Sequence, residues 1–246
     1  MIKFFRNIRK SLLDEGKTSK YLKYAIGEIV LVVIGILIAL QINNWNSLQK
    51  DRQIERQYLE GFLTDLRSDS STFEYFKNSV PKKIEALLLA RANIYQPKHI
   101  KDTLKFIDTL GYGGVASRTA LFENQSTYKD IISTGNLRLI QNKALRQILL
   151  EYYQYSDNTE TYLGNLRTEY TTYMNSLYPY DRRDSFKPYP EEVNQILDAL
   201  KTNEFLKLAN SELAYAYALK VRFNSLTRFN QELLKFIETE LNKHYD

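Results

Sequence analysis

Residues Ala25 to Ile42 read AIGEIVLVVIGILIALQI, and from Ile29 to Leu40 every residue is apolar or glycine. As a helix, eighteen residues rising 1.5 Å each reach about 27 Å, the hydrocarbon thickness of a bilayer. The flanks agree with a crossing. Tyr21 and Tyr24 precede the run, Lys23 lies between them, and Trp45 follows it, so amphipathic anchors stand where water meets lipid at both ends. We therefore expect a transmembrane helix over residues 25–45, between a basic segment (1–24) and a body (46–246).

A cleaved signal peptide fits poorly, because 24 residues precede the run and no small-x-small site follows it at Ala39-Leu40-Gln41-Ile42-Asn43. A buried helix of a soluble core would rarely be basic on one flank and aromatic on both. The body interrupts its apolar positions repeatedly with charge, so a single crossing is expected.

The charge is concentrated on one side. Of the net +5, all sits in residues 1–24, where seven bases face two acids, and the remaining chain carries 27 of each. A surplus confined to the front of an apolar run points to anionic lipid head groups and not to a nucleic-acid face, which needs clustered phosphate contacts. Residues 46–60 hold only Lys50, Arg52 and Arg56, so the bias keeps the amino end in the cytoplasm and residues 46–246 outside. Residues 2–13 alternate Ile2, Phe5, Ile8 and Leu12 with Lys3, Arg6, Arg9 and Lys10, an interfacial amphipathic pattern.

Much catalytic chemistry lacks its residues. With 0 Cys and 2 His, there is no thiolate nucleophile, disulfide framework, Cys-ligated metal or multi-His site. His99 and His244 stand alone. The Gly111-Tyr112-Gly113-Gly114 cluster follows an apolar helical pattern, not a strand, and lacks the Lys-Ser/Thr of a phosphate loop, so it reads as a turn. Asp181-Arg182-Arg183-Asp184 reads as paired charges in a solvated loop, and Glu191-Glu192 as a complement to a helix dipole. No cofactor or metal is expected.

Two stretches resemble a known family. GKTSKYLKYAIGEIVLVVIGILIALQINNWN, Gly16 to Asn46, and STGNLRLIQNKALR, Ser133 to Arg146, are similar to signatures of an uncharacterised Bacteroidota family of single-pass membrane proteins, carried as a domain of unknown function. The resemblance implies an inner-membrane protein with a helical extracytoplasmic part. It implies no activity.

Three-four spacing of apolar residues runs through the body and predicts an all-α fold, an antiparallel helical bundle after the membrane helix. Leu59, Phe62, Leu66, Phe73, Phe76 and Val80 keep that spacing apart from Asp69. The membrane helix is thus expected to continue outward or to break briefly near Asp69 to Ser71, with a new start at Pro81 and an end at Gln96-Pro97. Ile100 to Leu110 predicts a short helix, and Thr119 to Ser133 another, ended by Gly135. Asn142 is expected to cap a helix reaching as far as Tyr178, Pro190 to open the next, and Ser211 to Lys243 to form the last.

Three sets of residues are candidates for function. Glu28, Gly35 and Ala39 fall within about 20° of one line on a helix, a small and polar face suited to another membrane protein or a second copy of this span. The competing reading is that Glu28 reaches the boundary beside Lys23. Tyr21, Lys23, Tyr24 and Trp45 are the interfacial anchors. Tyr152, Tyr153, Tyr155, Tyr162, Tyr170 and Tyr173 belong to a tyrosine-rich stretch that reads either as a partner surface or as seams between helices. The expected function is non-enzymatic: a scaffold, sensory accessory or partner-binding protein. The alternative is a carboxylate-dependent enzyme on cell-wall glycan, which requires two acids facing one Tyr-lined pocket.

Overall fold

The computed structural model describes residues 18–96, 100–115, 125–166, 168–178 and 188–244. Among these the regular elements are all helical. They are α1 (Thr18–Tyr95), α2 (Thr103–Val115), α3 (Ser126–Ser133), a 3-10 turn (Asn136–Leu139), α4 (Lys143–Asn165), α5 (Tyr170–Leu177), α6 (Pro190–Ala199) and α7 (Asn203–His244). The amphipathic pattern of residues 2–13, His99 and the 181–184 charge run lie outside the described residues.

The chain divides into two compact units, residues 1–55 and 56–246. In the first, α1 carries the apolar run, and it is the one described helix long and apolar enough to cross a membrane. Its side chains are exposed throughout, from Ile29 at 63% to Leu40 at 53%.

In the second unit the interior has two apolar clusters. Phe62, Leu66, Phe73 and Phe76 of α1 meet Leu149 and Tyr152 of α4 and Phe223, Leu226 and Leu233 of α7 in the larger one. The smaller gathers Leu87 of α1, Ile107 of α2, Met174 of α5, Ile196 of α6 and Phe205 of α7. Pairings along α1 and α7 run in opposite order: Arg67 with Glu238, Phe73 with Phe223, Lys83 with Glu212. The same holds for α4 and α7, through Asn142 with Glu240 and Tyr155 with Phe229. Helix α7 is therefore antiparallel to both, and the expected antiparallel packing is observed.

Several boundaries differ from those read in the sequence, and of the two readings near Asp69 the uninterrupted helix is the one observed. Helix α1 passes through Asp69 to Ser71, where the hydroxyls of Ser70 and Ser71 bond back to the carbonyls of Leu66 (3.0 Å) and Arg67 (3.4 Å). It also passes through Pro81. Proline in a helix interior removes one hydrogen bond and costs about 3 kcal/mol, but Pro81 and Lys77, whose carbonyl loses its partner, are both on the exposed side. Buried Phe76, Val80 and Ile84 hold the helix together across the gap.

Residues Gly111 to Gly114 are helical, not a turn, and belong to α2. The α4 pattern stops at Asn165 and resumes at Tyr170, because Thr168 leaves the helix to bond elsewhere in the interior. Gly135 has φ 68°, the left-handed conformation expected past a helix end.

Candidate functional site

The inner stripe of α1 is not wholly apolar. Asp65, Asp69 and Lys83 sit on it at 7%, 5% and 2% exposure, and Glu212 of α7 at 1%. Charges taken from water persist only if each finds a partner, so the arrangement around them is exacting.

Lys83 Nζ bonds to Glu212 Oε1, and the Thr168 hydroxyl donates to Glu212 Oε2. The Tyr215 ring centroid lies 5.5 Å from Lys83 Nζ, a cation-π contact. Burial pulls the Lys83 ammonium below its ordinary value, while the Glu212 carboxylate pushes it back up. One carboxylate thus ties α1, α7 and the α4-α5 junction together.

Asp69 accepts a hydrogen bond of 2.7 Å from the Tyr152 hydroxyl. Asn230 of α7 donates to the Leu66 carbonyl (2.9 Å) and accepts from the Ser70 hydroxyl (2.7 Å), closing a polar knot across three helices. Burial pushes Asp69 up to about 6, against the Tyr152 hydrogen bond that favours its ionised form, and the charge of Asp65 adds to the rise.

Asp65 serves a different helix. Its carboxylate accepts from the Thr127 N–H (3.0 Å) and the Ser126 hydroxyl (3.4 Å), satisfying the first turn of α3, whose own N-cap Gln125 offers no side-chain bond. One turn earlier, Gly61 makes room: a Cβ there would stand 2.9 Å from Thr127 Oγ1 and 3.0 Å from its Cγ2.

The segment Ser133 to Arg146 docks against the same helix. Gly135 reverses the chain, Asn136 donates to the Tyr58 hydroxyl (3.1 Å), and that hydroxyl donates to Asp130 (2.7 Å). Asn142 then caps α4 by accepting from the N–H groups of Ala144 and Leu145, while its amide donates to Glu240 of α7 (2.8 Å). The polar residues of this segment are joints between helices.

A family of unknown function, DUF6090, matches residues 28–177, which include this docking segment and most of the apolar run. The chain belongs to the DUF6090 family. No curated protein and no solved structure matches it. Within the matched span lie Gly61, Asp65, Asp69, Lys83, Tyr152 and Thr168, whereas Glu212 and Asn230 come from beyond it.

The tyrosine stretch does not form one surface. Tyr152, Tyr153 and Tyr170 are in the core at 1%, 1% and 0% exposure, which corrects their reading as a partner surface. Their rings fill the seams between helices: Tyr153 stacks on Tyr128 at 4.0 Å, and the Tyr170 hydroxyl reaches the Leu110 carbonyl (3.3 Å). Tyr155 and Tyr173 are half-buried, and Tyr173 donates to the Ala199 carbonyl (3.3 Å). Tyr162 is exposed and carries the Arg222 guanidinium 4.5 Å over its ring.

In the apolar run, Gly35 has open space where a Cβ would stand, Ala39 is exposed, and Glu28 is half-buried. Among the anchors, Lys23, Tyr24 and Trp45 are exposed, and the Tyr21 side chain lies outside the described residues.

One surface cleft of about 560 Å³ opens between the end of α1 and α2, lined by Ala86, Leu89, Ile100 and Phe106 with Lys82, Lys101 and Lys105 among its polar residues. Two acids, Glu85 and Asp102, also line it, without a tyrosine. Among the described residues no three His, Cys, Asp or Glu side chains gather to hold a metal ion.

The buried charges escaped sequence reading, with one exception in kind: Asp69 was visible as the break in an apolar stripe. Lys83 sits beside Ile84 at an equally regular position, but its partner lies 129 residues away.

Proposed function

We propose that this protein is a single-span anchored helical module of the bacterial inner membrane that works by binding partners, as a scaffold or sensory accessory subunit, without catalysis. Its amino end stays in the cytoplasm, residues 25–45 cross, and residues 46–246 lie in the periplasm. The observation that supports this most directly is the exposure of every residue from Ile29 to Leu40 among the described residues. Twelve such residues in water would be costly, and lipid or another membrane helix relieves that cost.

The interior acids support a non-catalytic reading. Asp69, Asp65 and Glu212 are each engaged in joining helices, as their hydrogen bonds describe. None is offered to the cleft.

A partner in the membrane would meet the face of Glu28, Gly35 and Ala39, where Gly35 lets backbones approach closely. Photo-crosslinking from position 39 in intact membranes tests this. A discrete adduct that Gly35→Ile removes, and Gly27→Ile, about 100° around the helix from that face, leaves, is the expected result. If no adduct forms, the span is an anchor alone.

A further inference from the structure

The cleft between α1 and α2 has the chemistry of a binding site that neither the anchor nor the buried charges use. Its floor is apolar: Ala86 and Phe106 are buried, and Leu89 and Ile100 complete it. Its volume, about 560 Å³, falls within the range of small-ligand pockets, roughly 300–1,000 Å³. Three lysines and two acidic residues are among its lining residues, a formal surplus of one positive charge.

The two carboxylates are not equivalent. Asp102 Oδ1 accepts the Lys105 backbone N–H at 3.0 Å, so this acid is engaged with the first turn of α2. Among the described residues no carboxylate pairs with Lys82, Lys101 or Lys105. An apolar floor beneath unpaired lysines is complementary to a molecule with a hydrocarbon body and an anionic end. The surplus of one charge selects a monoanion over a phosphate monoester, which carries about −1.5 to −2 at neutral pH.

We propose that this cleft binds a long-chain fatty acid, its acyl chain along Leu89, Ile100 and Phe106 and its carboxylate among Lys82, Lys101 and Lys105. Hydrophobic burial supplies most of the affinity and the lysines fix the orientation of the head. The site stands independently of the membrane orientation proposed above.

The test uses the full chain in nanodiscs with a diazirine-bearing palmitate, its adducts mapped by mass spectrometry. Labelling of residues 85–109 is expected to saturate and to be displaced by free palmitate but not by methyl palmitate. The triple variant K82Q/K101Q/K105Q should lower capture there by roughly tenfold, the effect of losing a charge-assisted head-group contact. Labelling of the apolar run by membrane-dissolved probe should not change. Ala92→Trp, which fills the cleft from an exposed position, should abolish capture while circular dichroism retains the helical spectrum. Labelling of 85–109 that fails to saturate, or that methyl palmitate displaces as well as palmitate, overturns the proposal. So does lysophosphatidate displacing the probe better than palmitate.

Discussion

Lys83 and Glu212, 129 residues apart in the chain, form an ion pair at 2% and 1% exposure, and Thr168 completes the carboxylate. Removing either partner strands the other charge in the interior. Lys83→Met or Glu212→Leu alone should cost about 3–5 kcal/mol, whereas the double variant Lys83→Met/Glu212→Leu should recover most of it. Urea unfolding of the three variants measures the coupling. Additive losses would show that the pair does not act as a unit.

Asp69 makes stability depend on pH. Its folded value of about 6 lies above its ordinary 3.8, so the folded state holds the proton more tightly. This contribution is therefore fully present below about pH 4, is lost as the pH rises to about 6, and is flat beyond. The loss amounts to about 2–3 kcal/mol. Asp69→Asn keeps an acceptor for Tyr152 and should remove the slope, becoming more stable relative to wild type between pH 4 and pH 7. Parallel slopes in the two proteins would assign the titration elsewhere.

Gly61 should resist substitution for a reason local to Thr127. In Gly61→Ala the gain in helix propensity, about 1 kcal/mol, opposes overpacking of about 1–3 kcal/mol, since Cβ meets Thr127 at 2.9 Å and 3.0 Å. A net loss of about 1 kcal/mol is expected. Adding Thr127→Ala removes both contacts, so a double-mutant cycle should return a coupling of about 1–2 kcal/mol. A coupling near zero would mean that α3 moves aside freely.

The body should fold without its anchor. Its apolar clusters draw on residues from Tyr58 onward, and its charge is balanced. Residues 47–246 alone should be soluble and give a strongly helical circular dichroism spectrum. A strand-rich or unfolded spectrum would show that the span is needed to build the bundle.

What could be read from the sequence followed the reach of each signal. Apolar spacing and caps act within one or two turns, and so Asn142, Gly135 and Pro190 marked real ends. Pro81 misled because its local cost, about 3 kcal/mol, is outweighed by the burial of Val80 and Ile84 against distant helices. Tyr152 and Tyr170 show the same limit, since a tyrosine-rich stretch does not say which rings face inward. The cleft was invisible for another reason: Lys82 and Lys105 share it only after α2 folds back on α1.

Cysteine labelling distinguishes one crossing with the amino end inside from its alternatives, and the chain offers a background of 0 native Cys for it. Phe5→Cys and Thr239→Cys are suitable, Thr239 being exposed where its neighbour Glu240 is buried. In intact cells with a permeable outer envelope, a membrane-impermeant maleimide should label position 239 and leave position 5 unlabelled until the inner membrane is opened. Labelling of position 5 but not 239, or equal labelling of both before opening, would contradict the account.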